Sequence, residues 1–458
     1  MEENTMDVKS MVNGYRDELL SRLGKLVAIN SEMGTPAADA PFGEGPKKAL
    51  LCALDMMAED GFRTADVDHY AGYAEMGEGE EQIGIIGHLD IVPAHKEDGW
   101  DTDPFVMTEK DGVLYGRGVS DDKGAVVAAM IAMKVLRDMN VPLNKRVRLI
   151  MGTNEEKGSA CLAHYVEKEG SCDYGFTPDG EFPGVHGEKG MVGAVYRSKL
   201  TGIRAIKGGT AANVVCPKCT VKVDKATFSR KKLEDYFNNN NIEFAVEEEE
   251  NGIVITVTGT AAHASTPELG VNAISWLFSG LKEAGYQDPF VDFYCSHIGL
   301  NTDGEGLGCK CEDEFGALTL NAGVIGMHDG IVEGTIDIRF PVTMNARKVT
   351  GLMKERLSDE GGEVEILRTV EPLYFSPESP LVTSLLGAYQ EVTGDYETMP
   401  MTIGGGTYAK MIENTIAFGC AFPGRDYHIH NANEWVTVDE LLLQAEIYVN
   451  AILRLLNI

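Results

Sequence analysis

Strand-like and helix-like segments alternate through the first third of the chain, and this alternation limits the fold more than any other feature. Apolar periodicity predicts strands and helices in turn over residues 82–92, 124–139, 147–152, 160–168 and 174–177. Strands that alternate with helices build a sheet that is at least partly parallel, with helices packed on its faces. We therefore predict an α/β domain with a mixed, mostly parallel sheet flanked by helices.

Acidic and histidine residues stand at the ends of all three predicted strands. His88 and Asp90 close the first strand, Glu155 and Glu156 follow the second, and Asp179 follows the third. In open α/β sheets, binding sites lie outside the carboxyl ends of the strands. We therefore expect these side chains to meet at one place, although each of them alone would suit an ordinary solvated turn.

Two further residues, Asp121 and His430, make this group suitable for a pair of divalent metal ions. Asp121 lies just before the helix predicted over residues 124–139. Its two carboxylate oxygens can bridge metals about 3.5–4 Å apart. We predict that His88 and Asp179 complete one metal site and that Glu156 and His430 complete the other. Mixed nitrogen and oxygen ligands suit Zn²⁺, which we expect first, and also Mn²⁺ or Co²⁺.

The remaining two carboxylates are predicted to serve the chemistry. Asp90 lies two residues after His88, so both side chains point the same way on a strand, and Asp90 can accept the second ring N–H of His88. Glu155, beside a predicted ligand, can take a proton from water and pass it to a leaving amine. His428 lies two residues before His430, and the spacing alone does not choose between the two histidines.

From about residue 187 the pattern changes to strand–helix–strand groups of the ferredoxin-like kind, which suit a separate α+β domain. Because His430 must join the N-terminal ligands, the end of the chain should return to the first domain, which makes the middle an insertion. We predict a catalytic domain over residues 1–186 and 384–458 and an inserted lid domain over residues 187–383.

The charge of the chain argues against two classes of partner. Lys and Arg number 40 against 71 Asp and Glu, a formal net charge of −31, which repels phosphate backbones and anionic membrane surfaces. We expect neither nucleic acid nor a membrane as partner, since no apolar run is long enough to span a bilayer and the acidic N-terminus lacks a signal-peptide core. Nine cysteines, an odd number, favour reduced thiols and a cytoplasmic protein.

Two cysteine pairs leave a minor alternative open. Cys216 and Cys219, together with Cys309 and Cys311, could supply four thiolates to a structural zinc ion. Neither spacing is a standard zinc pair with a standard separation, so ordinary reduced cysteines are the preferred interpretation.

The motifs quoted above occur together in a known family, and their joint occurrence is highly specific. They are Gly87-His88-Leu89-Asp90, Gly116–Gly124, Glu155-Glu156, Pro178-Asp179-Gly180, Gly259–Ala264 and His430–Glu434. With them the chain resembles, over essentially its whole length, the co-catalytic metallopeptidases that include carboxypeptidase G, aminoacylase and carnosinase-like dipeptidases. The resemblance implies a zinc-exopeptidase-like catalytic domain. In that family the C-terminal histidine lies three residues before an acidic or amide pair, which favours His430 over His428.

Further motifs resemble the PepV-like (Xaa-His) dipeptidase branch of this family. They are Gly208–Asn213, Ile336–Pro341, Gly404–Tyr408 and Ala421–Arg425. By this resemblance His263 would stabilise the oxyanion of the tetrahedral intermediate, and Asn213 would donate to a substrate carbonyl or carboxylate. Arg339 would grip the C-terminal carboxylate of the substrate with two parallel hydrogen bonds. The backbone of Gly404, Gly405 and Gly406 can approach that carboxylate because no Cβ intervenes.

The resemblance implies an enzyme that hydrolyses dipeptides with a free C-terminal carboxylate, with Glu155 as the general base. The alternative is an amidohydrolase of the same family that removes the acyl group from N-acyl amino acids, since such substrates need the same carboxylate grip. In the PepV-like branch the enlarged lid stands in for a partner subunit, so we expect a monomer. The family often has a cis peptide bond after the bridging aspartate, here Asp121.

Overall fold

The computed structural model describes residues 8–224 and 228–458. The α-helices of this part are α1 (Val8–Gly14), α2 (Arg16–Val27), α3 (Glu44–Glu59), α4 (Lys123–Asp138), α5 (Ala160–Glu169), α6 (Arg230–Asn239), α7 (Ala273–Glu283), α8 (Pro289–His297), α9 (Ala346–Met353), α10 (Pro380–Thr393) and α11 (Val438–Leu455). None of the helices in the described residues combines the length and the apolar character that a membrane span needs.

The strands are short, and most belong to two large sheets. In chain order they are β1 (Arg63–Val67), β2 (Ala71–Met76), β3 (Gln82–His88), β4 (Thr108–Lys110), β5 (Val113–Tyr115), β6 (Arg146–Gly152), β7 (Tyr174–Thr177), β8 (Val185–Glu188), β9 (Gly190–Ser198), β10 (Ala205–Gly208), β11 (Lys218–Val223), β12 (Glu243–Glu249), β13 (Gly252–Thr258), β14 (Glu312–Asp313), β15 (Gly316–Ala317), β16 (Thr319–His328), β17 (Ile331–Phe340), β18 (Gly362–Val370), β19 (Leu373–Tyr374), β20 (Met401–Ile403), β21 (Thr415–Ala417) and β22 (Trp435–Thr437).

The chain forms two compact units. The first contains the chain up to Gly187 together with Phe375–Met401 and Gly406–Ile458, and the second contains Glu188–Tyr374 and Thr402–Gly405. The first unit is therefore built from separated parts of the sequence. The roles of these units as a catalytic domain and a lid stay predictions.

The sheet of the first unit confirms the predicted α/β class. Its strands follow the order β1-β2-β6-β3-β7-β21-β8. At the centre, β3 is parallel to both β6 and β7, and β21 is parallel to β7. The antiparallel pairs, β1 with β2, β2 with β6 and β21 with β8, lie towards the edges. The parallel centre is the part that the alternating strand–helix pattern predicts.

Helix α4 is the central helix of the first unit. Every residue from Lys123 to Leu136 is buried, and the helix packs against α2, α11 and β3. A helix that is apolar on nearly all sides must be covered on all sides. The long C-terminal helix α11 provides much of that cover and begins with a capping box, in which Thr437 and Glu440 satisfy each other's backbone N–H groups. The packing against α2, α11 and β3 fixes the position of α4 in the first unit.

The second unit contains an eight-stranded antiparallel sheet with its own apolar core. The strand order is β12-β13-β11-β10-β16-β17-β9-β18. Helices α6 to α9 belong to this unit, and the core includes Phe237, Phe278, Phe290 and Tyr294, all with no more than traces of exposed surface. A sheet of antiparallel strands with helices on it is the α+β class that the sequence predicts for the insertion.

Candidate metal centre

The three parallel strands at the centre of the first sheet end at the same edge, and their ends carry the predicted residues. His88 is the last residue of β3, Glu155 and Glu156 follow β6, and Asp179 follows β7. Since β3 lies between β6 and β7, the segments that follow these strands are neighbours. The strand predicted over residues 82–92 ends earlier than expected, at His88, because the chain leaves the sheet there.

Ligand atoms of these residues lie within metal-binding reach of one another. One group consists of His88, Glu155 and Asp179, and a second consists of His88, Asp121 and Glu156, with all ligand atoms of each group within 4.8 Å. The Nε2 atom of His88 lies 3.0 Å from Oδ1 of Asp121 and 3.9 Å from Oδ2 of Asp179. The structure thus collects four carboxylates around one buried imidazole.

The C-terminal histidine joins this group from a distant part of the sequence. The Nε2 atom of His430 lies 3.0 Å from Oδ2 of Asp121 and 3.3 Å from Oε2 of Glu156. Asp121 therefore faces His88 with one carboxylate oxygen and His430 with the other, as a bridging ligand would. Among the described residues, the ring of His428 has no carboxylate within ion-pair distance, so the geometry favours His430 of the two.

Asp90 is buried and supports two parts of the centre at once. Its carboxylate accepts the backbone N–H of Glu155 at 2.9 Å and that of Glu156 at 3.1 Å. The Nδ1 atom of His88 lies 3.0 Å from the backbone carbonyl of Asp90 and 3.5 Å from its carboxylate. The backbone carbonyl is thus the nearer partner of the second ring nitrogen. Asp90 fixes the orientation of His88 and the path of the Glu155-Glu156 segment together.

Glu434 organises the loop that carries Asp121, a role not predicted from the sequence. Its carboxylate has no exposed surface and accepts the backbone N–H groups of Gly118, Ser120 and Asp121 at 2.8–3.1 Å. It also accepts from the guanidinium of Arg117 at 2.6 Å. The available signal was the acid four residues after His430, because an acid beside a predicted ligand is a frequent support for a metal site.

Two glycines allow the backbone of the centre to pack this tightly. A Cβ at Gly124 would lie 1.9 Å from the carbonyl oxygen of Val119, and a Cβ at Gly87 would lie 2.7 Å from Oδ2 of Asp122. That Asp122 oxygen accepts the backbone N–H of His88 at 2.9 Å. The peptide bond between Asp121 and Asp122 is cis.

The electrostatics of the centre are dominated by negative charge. Burial raises the pKa of Glu155 well above its ordinary value, and the nearby carboxylate of Asp179 adds to this. Burial and the charge of Asp121 raise the pKa of Asp179 to about 7. Burial opposes protonation of His430, but hydrogen bonds to Asp121 and Glu156 outweigh it and raise its pKa to about 11. The centre holds four carboxylates and two imidazoles, and this excess of acidic groups favours the binding of cations.

The donor set fits divalent metal ions. The donors are imidazole nitrogens and carboxylate oxygens, the set that Zn²⁺, Mn²⁺ and Co²⁺ accept. One further observation points the same way: Oε1 of Glu156 is buried and has no hydrogen-bond partner among the described residues. A buried carboxylate oxygen without a partner is costly unless a ligand satisfies it.

The cysteines take no part in this centre. The nine cysteines are free thiols, and burial raises the pKa of both Cys216 and Cys219. Within residues 8–224 and 228–458, the groups suited to a metal ion contain His, Asp and Glu but no Cys.

The predicted substrate-binding residues lie on the second unit, apart from Gly406, which belongs to the first. The segments of Asn213 and His263 are paired, since the backbone N–H of Ala264 donates to the carbonyl of Asn213 at 2.9 Å. Both Asn213 and His263 are exposed. The Nδ1 atom of His263 lies 2.7 Å from the hydroxyl oxygen of Ser265 and 3.2 Å from its backbone nitrogen, so Nε2 is left for another partner on the far side of the ring.

Arg339 is buried and already held by protein groups. Its Nε and Nη2 atoms donate to the two carboxylate oxygens of Asp337 at 2.6 and 3.0 Å, and Nη1 donates to the carbonyl of Gly404 at 3.1 Å. A guanidinium has five N–H groups, so these contacts leave two for another acceptor. Gly404 must be glycine here, since a Cβ would lie 2.4 Å from Cβ of Ser265.

A two-unit α/β protein with a cluster of carboxylates and histidines at the carboxyl ends of its parallel strands has the make-up of a metal-dependent hydrolase. The sequence pattern shared by peptidase family M20/M25/M40 matches residues 84–454 of this chain. The chain therefore belongs to this family of metallopeptidases.

Proteins that span the same length are similar to this chain. A Staphylococcus aureus (strain USA300) protein provisionally named a dipeptidase is 35% identical over 467 residues, which cover 98% of this chain and 99% of that protein. A Staphylococcus saprophyticus protein with the same provisional name is 34% identical over the same shares.

Solved structures of lower identity share the fold. Human carnosine dipeptidase 1 has a TM-score of 0.60 at 19% identity and covers 98% of each chain. The dipeptidase Dug1p of Saccharomyces cerevisiae has a TM-score of 0.61 at 15% identity and covers 100% of each chain. Aminoacylhistidine dipeptidase of Vibrio alginolyticus has a TM-score of 0.55 at 15% identity and covers 100% of this chain and 99% of its own.

Proposed function

We propose that this protein is a metal-dependent dipeptidase that hydrolyses the peptide bond of dipeptides with a free C-terminal carboxylate. The observation that carries the proposal is the position of Asp121 between His88 and His430, with Glu156 and Asp179 beside them. The full-length similarity to proteins provisionally named dipeptidases supports the substrate class.

We assign the metal ligands as the sequence predicts. His88 and Asp179 would hold one divalent ion, Glu156 and His430 would hold the other, and Asp121 would bridge them. Zn²⁺ is the expected metal, with Mn²⁺ or Co²⁺ as alternatives. When bound, such a pair of ions polarises a substrate carbonyl and lowers the pKa of water.

Glu155 is proposed as the general base and then the general acid. It sits beside the ligand Glu156, and Asp90 fixes its backbone by accepting its N–H at 2.9 Å. A carboxylate oxygen of Glu155 would take one proton from the attacking water and deliver it to the leaving amine.

The residues that the resemblance assigns to substrate binding are proposed to contact the dipeptide. The two remaining N–H groups of Arg339, with the backbone at Gly404, Gly405 and Gly406, would take the C-terminal carboxylate. His263 and Asn213 would donate to the carbonyl oxygen on which negative charge develops. Each such donor strengthens as the charge grows, which favours the transition state over the substrate.

Replacement of Glu155 by Ala tests the assignment of the base. We expect kcat for dipeptides to fall by about 10²- to 10⁴-fold, the usual contribution of a general base, while both metal ions stay bound. Metal analysis and dipeptide hydrolysis would be measured on the same sample, with Glu167→Ala on the exposed face of α5 as the control. Full activity in Glu155→Ala would remove Glu155 from the mechanism.

A substrate panel separates the dipeptidase from the deacylase. Dipeptides would be compared with N-acetyl and N-succinyl amino acids at equal concentration. We expect kcat/KM to be highest for dipeptides, and a preference for acylated amino acids would replace the proposed substrate class. We also propose that the protein acts in the cytoplasm, where its nine free thiols would stay reduced.

A further inference from the structure

One face of the β16–β17 hairpin in the second unit carries a row of buried polar residues. The strand register pairs Asn321 with Asp337 and Thr319 with Arg339, and cross-strand partners point to the same face of a sheet. Asn321, Asp337 and Arg339 are 2%, 6% and 5% exposed. Buried polar groups are costly unless they are hydrogen-bonded. The hydrogen-bond partners of these residues therefore indicate which segments they hold in place.

Both donor hydrogens of Asn321 go to the residues on either side of Asn213. Its Nδ2 atom donates to the carbonyl of Ala212 and to that of Val214, each at 3.0 Å. Its Oδ1 atom accepts from Nδ2 of Asn272 at 3.3 Å. Asn272 in turn caps the start of α7, so the amide of Asn321 is fixed by a helix terminus on one side.

Backbone hydrogen bonds join the Asn213 segment to the His263 segment. The backbone N–H of Ala264 donates to the carbonyl of Asn213, and that of Val215 donates to the carbonyl of Ala262, each at 2.9 Å. The hydroxyl of Thr319, in the same row, donates to the carbonyl of Ala264 at 3.2 Å. Both segments are thereby attached to β16.

A second member of the row, Asp337, binds the guanidinium of Arg339. Asp337, directly across from Asn321, binds Nε and Nη2 of Arg339. The approach of β16 to the Asn213 segment is close, since a Cβ at Gly323 would lie 2.4 Å from the carbonyl oxygen of Ala212. One hairpin therefore sets the positions of three proposed substrate-binding groups.

We infer that Asn321 is a positioning residue for the reaction. It holds the Asn213 segment, and through it the His263 segment, at a fixed distance from Arg339. The inference rests on the proposed function, which gives those three residues their roles. A primary amide suits this position because it offers two donors and one acceptor, whereas a carboxylate offers no donor.

The test uses Asn321→Asp in the full chain, with Asn321→Ser as a second variant that retains one donor. A misplacement of about 1 Å costs about 100-fold in rate, so we expect kcat of Asn321→Asp to fall about 100-fold. KM should change little, because Asp337 still holds Arg339. In the double variant Asn213→Ala/Asn321→Asp, the loss in kcat should be smaller than the product of the two single losses, since part of the effect of Asn321 is exerted through the Asn213 side chain. Independent losses that multiply would overturn the inference.

A second readout does not depend on activity. Amide hydrogen exchange at Val215 and Ala264 should speed up in both Asn321 variants but not in Asn345→Ala, which removes a helix cap elsewhere in the same unit. Unchanged exchange in the Asn321 variants would overturn the inference. If the wild-type protein hydrolysed no dipeptide, the proposed function would fail, and the exchange result would still decide whether Asn321 holds the two segments.

Discussion

At the scale of single residues, the centre depends on buried carboxylates that are not among its predicted metal ligands. Glu434 collects three backbone N–H groups and the guanidinium of Arg117, while Asp90 collects two further backbone N–H groups. Ionised hydrogen-bond acceptors of this kind are stronger than neutral ones. The ligand loops are thus held by buried carboxylates as well as by any ion they bind.

Replacement of Glu434 by Gln should weaken both folding and metal binding. The amide leaves the buried charge of Arg117 without a counter-charge, which costs about 3–5 kcal/mol of unfolding free energy. Loss of a supporting group of this kind lowers metal affinity by about 10- to 100-fold. Denaturant unfolding and metal titration measure the two effects, with Glu167→Gln as the exposed control. Unchanged metal affinity in Glu434→Gln would show that the loop keeps its shape without the carboxylate.

The protonation of the centre predicts how metal ions stabilise the protein at different pH. The pKa of His430 is raised to about 11, so its contribution to stability without metal is complete below 6.5 and is lost as the pH rises through about 11. The raised pKa of Asp179 acts likewise, with a contribution lost as the pH rises through about 7. Without metal, these groups make the folded protein less stable as the pH rises.

Metal ions reverse this dependence because their ligands must be deprotonated. We expect the rise in Tm on adding Zn²⁺ to a chelator-treated sample to be larger at about pH 8 than at about pH 6, with an apparent affinity that gains about tenfold per pH unit for each proton released. Thermal unfolding at both pH values, with and without Zn²⁺, measures the rise in Tm. An equal shift at both would mean that the ligands hold no protons in the metal-free protein.

At the scale of elements, the start of α4 is packed closely against the loop before it. Gly124 lies in its first turn, and a Cβ there would meet the carbonyl of Val119, a backbone atom that cannot turn away. The loop that carries Asp121 is therefore packed directly against the helix it precedes.

Replacement of Gly124 by Ala should lower the free energy of unfolding by about 3 kcal/mol or more, because overpacking against backbone relaxes poorly. The matched control is Gly351→Ala in the exposed part of α9, where a Cβ would meet nothing within 4 Å. That control should be neutral or gain up to about 1 kcal/mol, since alanine favours helix. Equal effects at the two sites would contradict the packing argument. Denaturant unfolding of both variants is the measurement.

At the scale of the whole molecule, we propose a monomer. The second unit has an eight-stranded sheet, and the resemblance to PepV-like enzymes implies that an enlarged lid takes the place of a partner subunit. Sedimentation at concentrations well above those of the activity assay should give the mass of one chain, 49.7 kDa. A stable dimer with the same activity would contradict the idea that the lid replaces a partner.

Much of the first unit and the donor set follow from the sequence, because local patterns encode them. Apolar periodicity predicts strands over residues 82–92, 147–152 and 174–177, of which the first ends earlier, at His88. The rule for parallel sheets places the acidic residues at the carboxyl ends of these strands. The residue types alone indicate a centre for divalent cations. These conclusions need only neighbours in the chain and the geometry of one sheet.

Tertiary structure decided what local patterns do not contain. The choice of His430 over His428 was open on spacing alone and favoured by resemblance, and the structure brings the ring of His430 to Asp121. The hydrogen bonds of Glu434 to the Asp121 loop, and those of Asn321 to the Asn213 segment, join residues more than a hundred positions apart in the sequence. Such contacts depend on how whole elements pack, and a side chain in one element carries no local sign of the distant backbone group that it will bind.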